Sequence, residues 1–452
     1  MKKLIRYTML LTLSLSMAGC KKYLDEKSDQ KLVVPGTLAD FQSILDNYSK
    51  NVFSDPGEGE VSSTDYYLTD ANYNALSLDS YRREYTWQKD YLFETGSNSW
   101  YYGYTSIYSA NSVLDNMGKV ERNSVNQTDW DNIKGQALYL RGKNFLNMAY
   151  LWTLAYDPST ASQDMGLPLR LNTDFNQTSV RSSVQQTYDQ IISDLKSSVH
   201  LLPIVSLQVV RPSRPAAYAL LARTYLSMRQ YQEAGLYADS CLQLFNTLID
   251  YNTLTASATY PLKQFNAETI IFSVIGTPSP INPRRAKIDP GLYNLYTTND
   301  LRKIVFFKNN NNGSYAFKGN YTGTLAPFGG ISTNEVYLIR AEASARQGKT
   351  TDAMNDLNTL LVNRWKAGTF VPLTASSASN ALSLILLERR KELLLRGLRW
   401  MDLKRLNKDG ANITLTRTVN GQVYTLPPND LRYALPIPED VIALSGITQN
   451  LR

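Results

Sequence analysis

The sequence predicts a mainly α protein, in which helical hairpins of the tetratricopeptide type pack against an irregular, loop-rich half with a few short strands and a C-terminal β-hairpin. Three observations predict this. Apolar residues recur at helical spacing through most long segments, among them "GQALYLRGKNFLNMAYLW", "PAAYALLARTYLSM" and "TDAMNDLNTLLVNRW". Two segments look like copies of one helix pair, with Ala222, Tyr225, Ala234 and Ala238 in the first and Ala341, Ser344, Ala353 and Leu357 in the second. Each copy places two small residues 12 apart, where paired helices must approach closely. Residues 251 to 330, by contrast, lose the helical period and fill with Asn, Gly, Pro and Tyr. Ser344 stands where such a repeat wants an aromatic ring, so an irregular helical bundle remains the alternative.

In chain order, Lys2, Lys3 and Arg6 precede the apolar run Met9 to Ala18, then Gly19 and Cys20. This is a signal peptide over 1–19, with Cys20 placed for lipidation and so for membrane anchoring. The apolar run is about half of the roughly 20 residues that span a bilayer. Leu38, Phe41, Leu45 and Tyr48 then form a first helical stripe, capped by Thr37 with Asp40 three residues on. Further helix pairs are expected within 98–155 and 184–240. His200 lies off the stripe of its helix and reads as solvated. Within 251–330, "TIIFSVIG" and "KIVFFK" are strand candidates. "ALSLILLERRKELLLRGLRWMDLKRL" reads as one helix, with Glu392 facing Arg396 and Arg399 facing Asp402 as ionic staples. Asn420-Gly421 suits the type I′ turn of a hairpin in "ITLTRTVNGQVYTLP". The mature chain divides into an N-terminal part, 20–240, and a C-terminal part, 241–452, of one globular body.

Composition narrows the function. The net charge is +7, and Lys2, Lys3 and Arg6 of the leader supply three of it, which argues against a nucleic-acid partner. With Cys20 lipidated, Cys241 stands alone and reads as a core residue without a disulfide. One histidine leaves little material for a His-based metal cluster or a Ser/His/Asp triad, and no cofactor is expected.

Five segments resemble the SusD/RagB family of nutrient-uptake outer-membrane lipoproteins of Bacteroidetes: "CKKYLDE", "YLRGKNFLNMAYLW" with "GLPL", "EVYLIRAEASARQGKTTDAMNDLNTLLVNR", "ERRKELLLRGLRWMDLKRL" and "YALPIPEDVIALSGITQN". The chain departs from the pattern at Arg396, where the family usually has an acidic residue before the glycine. The resemblance implies a non-catalytic, cell-surface lipoprotein on the outer membrane that caps a SusC-type TonB-dependent barrel transporter. It implies capture of glycan or, as the alternative, of peptide, and delivery of that nutrient to the barrel. It also implies ligand contacts in both the tyrosine-rich N-terminal region and the loop-rich half, at no fixed position.

Tyrosine, at 30 residues, is the compositional outlier. Ten of the tyrosines fall within residues 66 to 108, beside Trp87 and Trp100. Sugar rings present apolar C–H faces and a rim of hydroxyls, so their sites want flat aromatic platforms beside polar groups. The candidate ligand residues are Asp65, Tyr67, Tyr73, Arg82, Trp87, Asn98 and Trp100, joined from the loop half by Tyr293, Tyr296 and Tyr315 near Asp300, Arg302 and Asn309 to Asn312. Tyr101, Tyr104 and Tyr108 repeat at helical spacing with Ile107 and are expected to be a buried face. Two other classes compete. A glycoside hydrolase needs only two carboxylates about 5–10 Å apart, but no motif marks such a pair. A scaffold that binds only a protein partner would use the tyrosines as core.

Overall fold

The computed structural model describes residues 35–452, so the leader and Cys20 lie outside the described residues. Among these, ten helices of eight or more residues form the body: α1 (Leu38–Leu45), α2 (Ser99–Asn116), α3 (Gln127–Trp152), α4 (Val184–Leu201), α5 (Arg214–Ser227), α6 (Tyr231–Leu242), α7 (Thr333–Arg346), α8 (Thr350–Leu361), α9 (Ala378–Glu392) and α10 (Arg399–Lys408). Thr37 caps α1 as expected. Its hydroxyl accepts from the Asp40 N–H at 3.2 Å, and the Asp40 carboxylate accepts from the Thr37 N–H at 3.0 Å.

Each helix from α2 to α7 packs on the next, and α7 also meets α8 and α9. Short loops therefore fold consecutive helices into hairpins. Ala222, Ala234, Ala341 and Ala353 are all fully buried. Gly235 shows why small residues are needed, since a Cβ there would come within 3.0 Å of the Ala343 Cβ on α7. Stacked hairpins, and not an irregular bundle, account for this half. Cys241 is buried in its core, and His200 is exposed. No described helix is long and apolar enough to cross a membrane.

The strands are β1 (Tyr66–Tyr67), β2 (Met165–Pro168), β3 (Arg181–Ser183), β4 (Thr269–Ile271), β5 (Lys287–Ile288), β6 (Phe307–Asn309), β7 (Tyr315–Phe317), β8 (Ile331–Ser332), β9 (Leu415–Val419) and β10 (Gln422–Leu426). Among the described residues they form five antiparallel pairs, β1–β5, β2–β3, β4–β8, β6–β7 and β9–β10. At the β9–β10 turn Asn420 and Gly421 both take positive φ, 49° and 76°, as a type I′ turn requires. Residues 251–330 supply most of a second core around Phe272, Leu292, Tyr296, Phe306 and Phe328, to which Val52, Leu394 and Leu395 also contribute.

Two local expectations are corrected. "KIVFFK" is strand only from Phe307 onward. Arg302–Phe306 is a short helix before it, entered through a turn in which the Asp300 carboxylate accepts from the Arg302 N–H at 3.1 Å. The segment read as one helix breaks between α9 and α10, where Leu395 and Gly397 take φ of 55° and 75°. The expected staples are therefore absent. Glu392 instead meets Arg302 at 3.0 Å and Arg364 at 2.8 Å, while Asp402 meets Arg389 and Arg405, each at 2.8 Å. Arg396 makes no ion pair among the described residues and lies 4.4 Å from the ring centroids of Tyr321 and Phe328.

Candidate functional site

The β1–β5 ladder joins the tyrosine-rich N-terminal region to the loop half. Tyr66 faces Ile288 and Tyr67 faces Lys287, and the Asp289 N–H donates to the Asp65 carbonyl at 3.0 Å to lengthen the pairing. Alternation along a strand turns Tyr66 and Ile288 inward and leaves Tyr67 and Lys287 half-buried at the surface. The Asp289 carboxylate then accepts from the Leu292 N–H at 2.8 Å and starts the turn Pro290–Asn294, which carries Tyr293.

β5 also packs against β7. This brings Tyr293 onto Tyr315, their rings stacked with centroids 3.7 Å apart and planes at 13°. The Lys303 ammonium sits 5.0 Å from the Tyr293 centroid. Asn309 stands opposite Tyr315 on the β6–β7 ladder. The side chains of Asn309 and Asn312 accept from the N–H groups of Asn311 and Ser314, so these amides fasten the turn. Burial against this neighbourhood, with the Tyr315 hydroxyl beside it, pushes the Tyr293 phenol up to about 12. It stays a neutral donor and acceptor at any physiological pH.

Tyr73 and Arg82 flank the ladder from the segment after β1. Tyr73 is half-buried against Tyr85, with centroids 5.8 Å apart. Arg82 donates to the Leu76 carbonyl at 2.5 Å and to Asp79 at 3.2 Å. Asn72 donates to the Arg285 carbonyl at 3.3 Å, tying this segment to the loop before β5. Tyr67, Tyr73, Arg82, Tyr293 and Tyr315 thus keep part of their surface open to solvent.

The other five candidates have different surroundings. Asp65 is buried and paired with Arg390 at 2.8 Å. Trp87 is buried and donates its indole N–H to the Ser62 carbonyl at 3.0 Å. Trp100 is buried edge-on against Trp152, with centroids 5.2 Å apart. Asn98 caps α2, its side-chain oxygen accepting from the Tyr101 N–H at 3.0 Å. Tyr296 is fully buried and donates to the Lys391 carbonyl at 2.8 Å. Their rings and polar atoms serve the core, so the expectation that they line an open site is corrected. Asp300 and Arg302 are likewise fully buried, paired at 2.7 Å.

The opposite correction applies to α2. Tyr101 is 54% exposed and Tyr108 41%, and only Tyr104 is tied down, by donation to the Pro168 carbonyl at 2.7 Å. Phe175 stacks on Tyr108 from an adjoining loop, with centroids 5.4 Å apart. The segment is helical, but its buried stripe runs through Trp100, Gly103, Ile107 and Ala110. Gly103 marks that stripe, because a Cβ there would collide with the Met148 sulfur at 2.7 Å. Among the described residues no group of three or more His, Cys, Asp or Glu side chains is placed to hold a metal ion.

Stacked helical hairpins that carry a loop-rich half with tyrosines at its surface define a helical-repeat protein. A family model described as starch-binding, associating with the outer membrane, matches residues 22–226, and the SusD family model matches residues 304–451. The chain belongs to the SusD/RagB family. No curated protein matches it. Among solved structures it is similar to a SusD superfamily protein of Bacteroides thetaiotaomicron, at 22% identity and TM-score 0.74 over 92% of this chain and 100% of that one. It is also similar to a SusD-like carbohydrate-binding protein of Bacteroides vulgatus, at 22% identity and TM-score 0.67 over 91% and 97% of the chains. A laminarin-binding SusD-like protein is similar too, at 17% identity and TM-score 0.65 over 91% and 98%.

Proposed function

We propose that this chain is a non-catalytic glycan-capturing lipoprotein of the cell surface. In this reading it is held to the outer membrane through a lipid on Cys20 and delivers oligosaccharide to a SusC-type TonB-dependent barrel. The observation that carries the reading is the stacked Tyr293–Tyr315 pair, which β7 holds next to β5, the strand that pairs with β1. A neutral phenol offers a flat face for sugar C–H groups and a hydroxyl for the sugar rim. Asp65, the carboxylate next to β1, is buried and paired with Arg390 at 2.8 Å. Family membership and the carbohydrate-binding relatives support the ligand class.

The test is affinity electrophoresis of the unlipidated mature chain against a panel of polysaccharides, followed by titration with oligosaccharides. Binding is expected for at least one glycan, without release of shorter products. Capture of mixed peptides with no glycan bound would overturn the reading, and so would hydrolysis of a bound polysaccharide.

A further inference from the structure

The loop between α4 and α5 leaves Ile204 47%, Val205 82% and Leu207 84% exposed. It is nevertheless held in place. The Val209 carbonyl accepts from the Phe272 N–H at 2.9 Å, the Gln208 side chain accepts from the Tyr48 hydroxyl at 2.6 Å, and Arg211 grips Asp46 with both arms, at 3.0 and 2.5 Å. Phe272 in turn meets two exposed rings, Phe53 at a centroid distance of 6.4 Å and Phe265 at 4.8 Å. These are 48% and 51% exposed. Single exposed apolar residues need no explanation. Five gathered by three chain segments around one anchored point form a patch of the kind that marks a contact surface.

Charge says what kind of contact. Segments 46–54, 203–212 and 262–266 contain Asp46, Lys50, Arg211 and Lys263 as their charged residues. Asp46 and Arg211 neutralise each other, while Lys50 and Lys263 are exposed. The patch is therefore apolar with a cationic margin, the pattern of a surface that rests at a lipid interface. The tether permits this contact. The patch is built at the C-terminal end of α1, where Asp46 follows Leu45. Fifteen residue steps from Cys20 to Pro35 span at most about 50 Å.

We infer that this face lies on the bilayer, with Ile204, Val205, Leu207, Phe53 and Phe265 entering the headgroup–acyl boundary and Lys50 and Lys263 meeting anionic phosphates. The inference rests on the lipid-anchored reading above for its setting, and its test does not depend on the lipid.

The mature chain carrying Cys20→Ser is floated with vesicles of phosphatidylethanolamine and phosphatidylglycerol, and with vesicles of phosphatidylcholine alone. Binding to the anionic vesicles is expected, weakening as salt rises. Val205→Glu with Leu207→Glu should lower it at least about tenfold. Lys50→Glu with Lys263→Glu should abolish the preference for anionic lipid. Equal flotation of parent and Val205→Glu/Leu207→Glu would overturn the inference, as would no flotation of the parent. So would intact flotation of that variant with loss of co-purifying barrel, because the patch would then be a protein interface. Glycan titration of the same variants separates this result from the proposed function, which stands or falls on that affinity alone.

Discussion

Arg417 on β9 lies 3.7 Å from the ring centroid of Tyr85, 4.8 Å from that of Trp87 and 5.3 Å from that of Tyr66. It donates to the Val61 carbonyl at 2.8 Å and to the carbonyls of Tyr85 and Ser63. A desolvated cation over several aromatic faces gains about 2 kcal/mol or more from them. Arg417→Ala should therefore cost about 3–5 kcal/mol in denaturant unfolding, and Arg417→Lys should recover little, since an ammonium lacks the planar fork. The box also explains why the sequence misleads here. Aromatic crowding at 66–108 is visible in the chain, but the cation that consumes Tyr66, Tyr85 and Trp87 stands 356 positions from Val61. Sugar platforms and a cation box have the same composition. Glu60 is a second case. Burial first, then the nearby Asp65 carboxylate, raises its carboxyl to about 7, against which the Gly397 N–H donates at 2.7 Å. The folded state then binds a proton that the unfolded state has lost between pH 4.5 and about 7, so Glu60 lowers stability progressively as pH rises through that window. Glu60→Gln should remove this slope, and melting temperatures of parent and variant measured from pH 4 to 8 should diverge by about a few kcal/mol equivalent toward the upper end. Parallel curves would contradict it.

At the scale of elements, the signals that held were those whose cause is local. The Thr37–Asp40 cap, the Asn420-Gly421 turn and the small residues of the hairpins all act within a few residues or between adjacent helices. The α9–α10 break is the contrary case. Its leucine-rich sequence favours helix, yet Glu392 is drawn to Arg302 and Arg364, which lie on other segments. Gly397 makes the break possible, with φ of 75° and an added Cβ 3.0 Å from the Ile275 Cδ1. Gly397→Ala should cost about 1–2 kcal/mol by chemical denaturation. A stability unchanged or raised would mean that the segment can continue as helix.

Across the whole molecule, one buried ionic network fastens the loop half to the helical half. Arg302, Arg364 and Lys391 supply three positive charges among Asp300, Glu388, Glu392 and Glu268. Arg396 reaches this network only through neutral groups. It donates to the Ser332 hydroxyl at 2.6 Å, Ser332 donates to Asn334, and Asn334 donates to Glu392 at 2.7 Å. The residue that departs from the family pattern thus joins the network by hydrogen bonds through Ser332 and Asn334, and not by an ion pair. Burial alone would raise the Glu392 carboxyl, but Arg364 and Arg302 hold it below the usual range. Removing one member leaves its partners buried and unpaired, which costs about 3–5 kcal/mol. The network and the tyrosine pair therefore predict separable phenotypes. Glu392→Gln should lower the melting temperature markedly, yet leave glycan affinity near that of the parent at temperatures where the variant is folded. Tyr293→Ala should leave the melting temperature nearly unchanged, because its ring is only partly buried, and weaken glycan binding by about tenfold. Calorimetric titration beside thermal unfolding of the two variants distinguishes them. If Tyr293→Ala lost stability and kept its affinity, the stacked pair would be core, and the ligand would have to be sought elsewhere, first at the exposed rings of Tyr101 and Tyr108 on α2.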